Sequence, residues 1–217
     1  PSGGRRSRRK IPSSKARKLG PGAISQPVQL ASAGVADVLA RLPHLLTMPS
    51  SRRWSPAYVG LGANLDQPVE QLRKAVSLLG TVNDARLVFV SPAYSSRPMG
   101  PQDQPDYVNA VAGLVTTLEP LELLDALQGI ENQMGRVRDG ERWGPRVIDL
   151  DLLVFAGVVM NGERLVLPHP GIHERSFVLY PLADIAPSLK VPGLASVESL
   201  RAAVPGDDLH RLEESLI

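Results

Sequence analysis

Two apolar stripes at helical spacing, each set between short runs of β-type residues, constrain this chain more than any other feature. Val69, Leu72, Val76 and Leu79 recur at i, i+3, i+7 and i+10, which puts them on one face of a helix. Asp66 and Pro68 give a start signal, and Gly80 gives a stop. A second stripe follows Pro120: Leu123, Leu127, Ile130 and Met134. Helices this short are marginal alone in water and gain their stability by burying the apolar face. The surfaces that can cover them are the β runs at 57–63, 85–95, 107–117 and 147–155. Pro92 makes the second run an edge or bulged strand, because proline donates no ladder hydrogen bond. The order is β-α-β-β-α-β. It predicts an α+β domain on the ferredoxin-like plan, an antiparallel sheet with both helices on one face. A hairpin around Asn161-Gly162, a helix from about Glu174 and an amphipathic piece at 197–204 form a C-terminal hairpin and helix extension. The plan alone names no function.

Charge divides the chain where the periods begin. Residues 1–53 hold eleven Lys/Arg and one acid, a net +10, and show no sustained period. Like charges repel and little apolar surface is available to bury, so this tail reads as disordered. An Arg- and Ser-rich, acid-poor segment also fits a targeting peptide or a nucleic-acid arm. The chain opens on Pro1, and Met48 sits just before the body, so the tail reads as separable from the native product. Residues 54–217 hold thirteen Lys/Arg and twenty-one acids, a net −8. The pI of about 9.2 therefore comes from the tail, and the body is a poor nucleic-acid binder. With no cysteine, disulfide scaffolds, thiol nucleophiles and thiolate metal sites are excluded. No apolar run nears the ~18–20 residues of a membrane span. We expect a cytoplasmic, monomeric domain over 54–217, with no membrane partner.

Chemistry concentrates at 136–152, RVRDGERWGPRVIDLDL. Strand side chains alternate, so Asp149 and Asp151 share a face with Cα atoms roughly 7 Å apart. Ile148, Leu150, Leu152 and Val154 take the other face. Adjacent carboxylates repel unless a cation sits between them. Mg²⁺ suits such a pair, since it takes one or two carboxylates plus waters and phosphate oxygens. A bare D-x-D fits a solvated sheet face equally well. Arg136, Arg138, Arg142 and Arg146 add planar forks suited to phosphate. Gly140 and Gly144 let the loop move, and Trp143 can cover a ligand. The alternatives are a solvated basic loop or a nucleic-acid contact, and the adjoining acids argue against the second. Glu131 falls inside the apolar stripe, with Gln128 at its edge. Glu131 either reaches solvent at that edge or lines a pocket where helix meets loop. His169, His173 and Arg175 make a second cationic cluster. Gly60 and Gly62 read as a tight strand-to-helix turn, because Leu65 replaces the third glycine of a dinucleotide fingerprint and no P-loop exists.

Four segments carry a resemblance: GLGANLD, GPQDQPDYVNAV, GRVRDGERWGPRVIDLDLL and LPHPGIHERSFVLYPLADIAP. On them the body resembles the 6-hydroxymethyl-7,8-dihydropterin pyrophosphokinase family of folate biosynthesis. The resemblance implies transfer of pyrophosphate from ATP to the pterin's 6-hydroxymethyl oxygen, with release of AMP. It implies two Mg²⁺ ions on Asp149 and Asp151, and catalytic roles for Arg136 and Arg146. Trp143 would seal the site. Arg138, His169, Arg175, Gln128, Glu131 and Ile148 would contact the nucleotide. Asn109 would read the pterin's amide edge between the aromatic walls Tyr107 and Phe177, beside Ser96, Pro98 and Met99. The tail has no counterpart in the resemblance.

Overall fold

The computed structural model describes residues 53–136 and 144–217. The elements run β1 (Ser55–Ala63), α1 (Pro68–Leu79), β2 (Ala85–Val90), β3 (Tyr94–Ser96), β4 (Tyr107–Thr116), α2 (Pro120–Gln133) and β5 (Asp149–Phe155). There follow β6 (Met160–Asn161), β7 (Val166–Leu167), α3 (Ser176–Ile185), α4 (Val197–Ala203) and β8 (His210–Arg211). The sequence tail falls outside the described residues, apart from Arg53.

β1 lies inside an antiparallel sheet, with a partner on each side. It pairs with β4 from Ser55 opposite Thr116 to Ala63 opposite Val108, and with β5 on its other side. The order is β5-β1-β4-β3-β8, and β2 also pairs with β4. The expected strand at 85–95 is thus broken in two. Pro92 cannot donate to a ladder, and Ser91 holds the break together. Its N–H donates to Val111 O at 2.9 Å, and its Oγ accepts from Val111 N at 2.9 Å. β3 and β8 close the far edge, with Tyr94 opposite Arg211. The expected hairpin forms as β6 and β7.

Both apolar stripes are buried. Leu72, Val76 and Leu79 of α1, and Leu123, Leu127 and Ile130 of α2, pack on Ala57, Val59, Leu61, Ala110, Ala112 and Leu114. Pro120 opens α2 after Glu119, whose backbone N–H donates to Glu122 Oε2 at 2.8 Å, half of a capping box. The opposite face is covered as well. Val178, Leu182 and Ile185 of α3, with Val197 of α4, pack on Tyr58, Val111, Val115 and Leu153. Helices therefore cover two faces, where the β-α-β-β-α-β pattern accounted only for one. The reason lies in the strands: β4 is apolar at consecutive positions, not alternate ones, as a strand buried on both faces must be. No described helix is long and apolar enough to cross a membrane.

Gly60 and Gly62 do not form a turn. They lie within β1, opposite Asp151 and Asp149 on one side and Val111 and Asn109 on the other. The turn into α1 falls on Asp66 and Gln67, at φ 52° and 61°.

Candidate active site

One face of β1, β4 and β5 changes character along its length. At one end it presents Tyr58, Val111, Val115 and Leu153 to α3. At the other it presents Gly60, Gly62, Tyr107, Asn109, Asp149 and Asp151 to a cavity of about 280 Å³. The glycines supply the room. A Cβ on Gly62 would come within 3.3 Å of Asn109 Oδ1. Ser96, Arg97, Met99 and Gly100 add the wall after β3, Arg136 and Arg146 the wall before β5, and His169, Arg175 and Phe177 the wall before and at the start of α3.

A charge network holds the arginines over the floor. Glu131 is 1% exposed. Its Oε1 accepts from the Leu150 N–H at 2.8 Å and from Arg136, so one carboxylate joins α2 to β5. Arg136 also reaches Asp149 Oδ1 at 2.5 Å, and Arg146 pairs with Asp149 Oδ2. Burial works against the Arg146 charge, but Asp149 outweighs it and the guanidinium is held more firmly protonated.

Asp151 differs from Asp149. Burial, then the Asp149 charge, pushes its carboxyl up to about 6. Its side chain keeps 43% of its surface open, but this surface faces the walled cavity, and the Asp149 and Glu131 charges push upward against Arg175 and Arg136. His169 moves the other way, down to about 4, chiefly by burial and then by Arg175. The Gly171 N–H donates to its Nδ1 at 3.1 Å. The neutral ring therefore carries its proton on Nε2, which lies 3.9 Å from Asp151 Oδ2. On the opposite wall the Tyr107 hydroxyl donates to Gly144 O at 2.8 Å, and burial pushes it up as an acid. Asn109 Nδ2 donates to Ser96 Oγ at 2.9 Å.

The model of the family described as 7,8-dihydro-6-hydroxymethylpterin-pyrophosphokinase (HPPK) matches residues 58–187, which contain this whole cavity. The chain belongs to the HPPK family. It is 51% identical over 155 residues to the 2-amino-4-hydroxy-6-hydroxymethyldihydropteridine pyrophosphokinase of Pseudomonas aeruginosa, covering 71% of this chain and 95% of that one. It is 49% identical to the Haemophilus influenzae enzyme of the same name, covering 66% and 89%. A crystal structure of Plasmodium falciparum wild-type HPPK-DHPS with pterin and p-hydroxybenzoate superposes with a TM-score of 0.57 at 15% identity, covering 72% of this chain and 42% of that one. The chain thus spans less than half of that solved protein, and at this identity the likeness is one of fold. As an HPPK family member the chain is an enzyme of folate biosynthesis that transfers pyrophosphate from ATP to hydroxymethyldihydropterin.

Most of the residues singled out in the sequence come together at this HPPK cavity. Ser96, Met99, Tyr107, Asn109, Arg136, Arg146, Asp149, Asp151, His169, Arg175 and Phe177 all line it. Four others stand outside the lining. Pro98 is buried, and its carbonyl accepts from Gln102 Nε2 at 2.8 Å. Gln128 is half-buried on α2. Glu131 sits behind Arg136 and reaches the cavity through it. Ile148 is fully buried in the core beneath α1 and α2. Arg138 and Trp143 lie outside the described residues, as does Arg142. Among the described residues no cluster of three or more His, Cys, Asp or Glu could hold a metal. Two carboxylates facing one void leave the remaining positions to water and phosphate oxygens, a donor set that fits Mg²⁺.

Sequence reading passed over Asn64. It stands inside the quoted segment GLGANLD, yet its side chain is 2% exposed and fully engaged. The only available signal was an amide placed between a strand and a helix start that it does not cap.

Proposed function

We propose that ATP and 6-hydroxymethyl-7,8-dihydropterin meet in this cavity, with Asp149, Asp151, Arg136 and Arg146 carrying the transfer. The observation behind this is the pair of strand carboxylates on the cavity floor, with both arginines over them. The pterin's hydroxymethyl oxygen bonds to the β-phosphorus as the bond to AMP's bridging oxygen breaks, and the hydroxyl proton is released. Asp149 and Asp151 would hold two Mg²⁺ ions, which would supply charge neutralisation on the phosphates.

The chain's own groups position and polarise. Each guanidinium has five N–H donors, more than Asp149 can accept, so Arg136 and Arg146 keep donors for phosphate oxygens. Arg175 adds charge on the same side, with its guanidinium 5.9 Å from the Phe177 ring centroid. His169 offers Nε2–H without a full positive charge. Gln128 completes the nucleotide side in this reading, along with Arg138 and Trp143, whereas the Ile148 side chain, fully buried beneath α1 and α2, supports this wall from behind and does not touch the nucleotide. Asn109 reads the pterin's amide edge, Tyr107 and Phe177 flank its ring, and Ser96, Pro98 and Met99 border it. All chemistry belongs to residues 54–217, on a ferredoxin-like sheet, in a monomeric cytoplasmic enzyme.

The test supplies hydroxymethyldihydropterin, ATP and Mg²⁺ to the full chain and separates the nucleotides produced. AMP and a diphosphorylated pterin are expected. ADP with a monophosphorylated product would reject attack at the β-phosphorus.

A further inference from the structure

We propose that Asn64 is a positioning residue that locks the two walls of the cavity to each other. It directly follows β1, and its hydrogen bonds run to segments far away in sequence. Its backbone N–H donates to Arg146 O at 3.0 Å, and its Oδ1 accepts from Arg146 N at 2.7 Å. Its Nδ2 donates to Gln104 Oε1 at 3.0 Å and to Pro105 O at 3.1 Å. The amide's orientation follows from its backbone partners: Arg146 N–H can only donate, and Pro105 O can only accept. A side chain here must therefore present an acceptor one way and donors the other. Alanine offers neither, and aspartate offers only the acceptor.

Both joined segments carry cavity groups. Arg146 pairs with Asp149, whose strand partner Gly62 lies two residues before Asn64. The contacts from Asn64 to Arg146, on to Asp149 and back through β1 therefore close a ring. The other segment leads to Tyr107, whose hydroxyl ties it to Gly144 at a second point. Asn64 is no helix cap, since α1 is capped at Gln67. Its buried amide serves the placement of Arg146 on one wall and of the segment before Tyr107 on the other.

The inference rests on the assignment of Arg146 to the transfer. The experiment measures kcat, both KM values and melting temperature, by AMP release and thermal denaturation. The proteins are the full chain and its Asn64→Ala, Asn64→Asp, Arg146→Ala and Asn64→Ala/Arg146→Ala variants. Displacing a positioned group costs roughly 10–100-fold, and that fall in kcat is expected for Asn64→Ala. In the Arg146→Ala background the same change should cost less than about threefold, because the group it positions is gone. Asn64→Asp keeps the acceptor to Arg146 and loses the donors to Gln104 and Pro105. Its kcat should stay within about fivefold while the pterin KM rises about tenfold. Full multiplication of the two single losses would overturn the inference, as would an unchanged kcat in folded Asn64→Ala. If Asn64→Ala does not fold, the kcat and KM split of Asn64→Asp decides, and equal change in both parameters overturns the inference. Normal kcat in Arg146→Ala would sink the assignment of Arg146, and the inference with it. A large loss there beside multiplying effects sinks the inference alone.

Discussion

The two faces of the central sheet are built from the same strands and do opposite things. The face under α1 and α2 is packed mainly with apolar side chains, with Leu72, Leu79, Leu123 and Leu127 all fully buried. The other face is dry under α3 and polar beyond it, where Gly60 and Gly62 open a cavity floored by Asp149 and Asp151. Apolar burial is more extensive on the first face. The second gives up apolar contact so that charge can be placed where a phosphate-rich ligand would lie. Changes on the first face should therefore move stability, and changes at the polar end of the second should move turnover.

The largest expected effect is on the polar floor. Asp151→Ala should lower turnover by about a thousandfold or more, an order set by the role of charge positioning in phosphoryl transfer. Its melting temperature should be unchanged or higher, because the variant relieves the repulsion from Asp149. A parallel fall in melting temperature would break the division between the faces. On the first face, Leu127→Ala should cost about 2–5 kcal/mol of unfolding free energy by denaturant titration. Its kcat per folded molecule should hold within about twofold.

Glu131 tests the boundary, because it is buried like the first face and wired to the second. Glu131→Ala should lower kcat by about 10–100-fold through Arg136. It should also destabilise by about 1–3 kcal/mol, as the Leu150 N–H loses its partner. A change in only one of the two quantities would assign Glu131 to a single face.

Asp151 and His169 make a subtler prediction for the metal-free protein. Asp151 binds its proton more tightly folded than unfolded, so its contribution to stability falls as pH rises from about 4 to about 6. His169 binds its proton less tightly folded, so its contribution rises across about 4 to 6.5. The two slopes oppose each other, so this pair adds little net pH dependence across that range. Asp151→Asn should uncover the His169 slope, with melting temperature climbing from pH 4 to 6.5. A flat profile in that variant would show that His169 is not held neutral. The smallest effect belongs to the exposed Arg164–Asp125 pair, where Asp125→Ala should cost under about 1 kcal/mol and leave kcat alone.

Much of this was legible in residue order. The stripes beginning at Val69 and Leu123 marked the helices, because burial at 3.6-residue spacing leaves a periodic trace. Asp149 and Asp151 announced a shared face, because strand alternation is strict. The glycines were harder. A glycine in a turn and a glycine opening space within a strand read alike, and only the register opposite Asn109 and Asp149 separates them. The split of 85–95 at Pro92 was half visible, since the proline excluded a ladder donor but did not show that Ser91 would bridge the gap.

Residue order by itself determined the alternating elements, the acidic body behind a basic tail, and the concentration of phosphate-type chemistry at 136–152. These are local properties, written in spacing and side-chain type. Only the tertiary structure decided that α3 and α4 would cover the second face, and that Glu131 would meet Arg136 and Leu150. It alone placed Asn64 between segments 40 and 82 residues away. Such contacts depend on strand register and on the need of every buried polar group for a partner, and neither leaves a period in the chain.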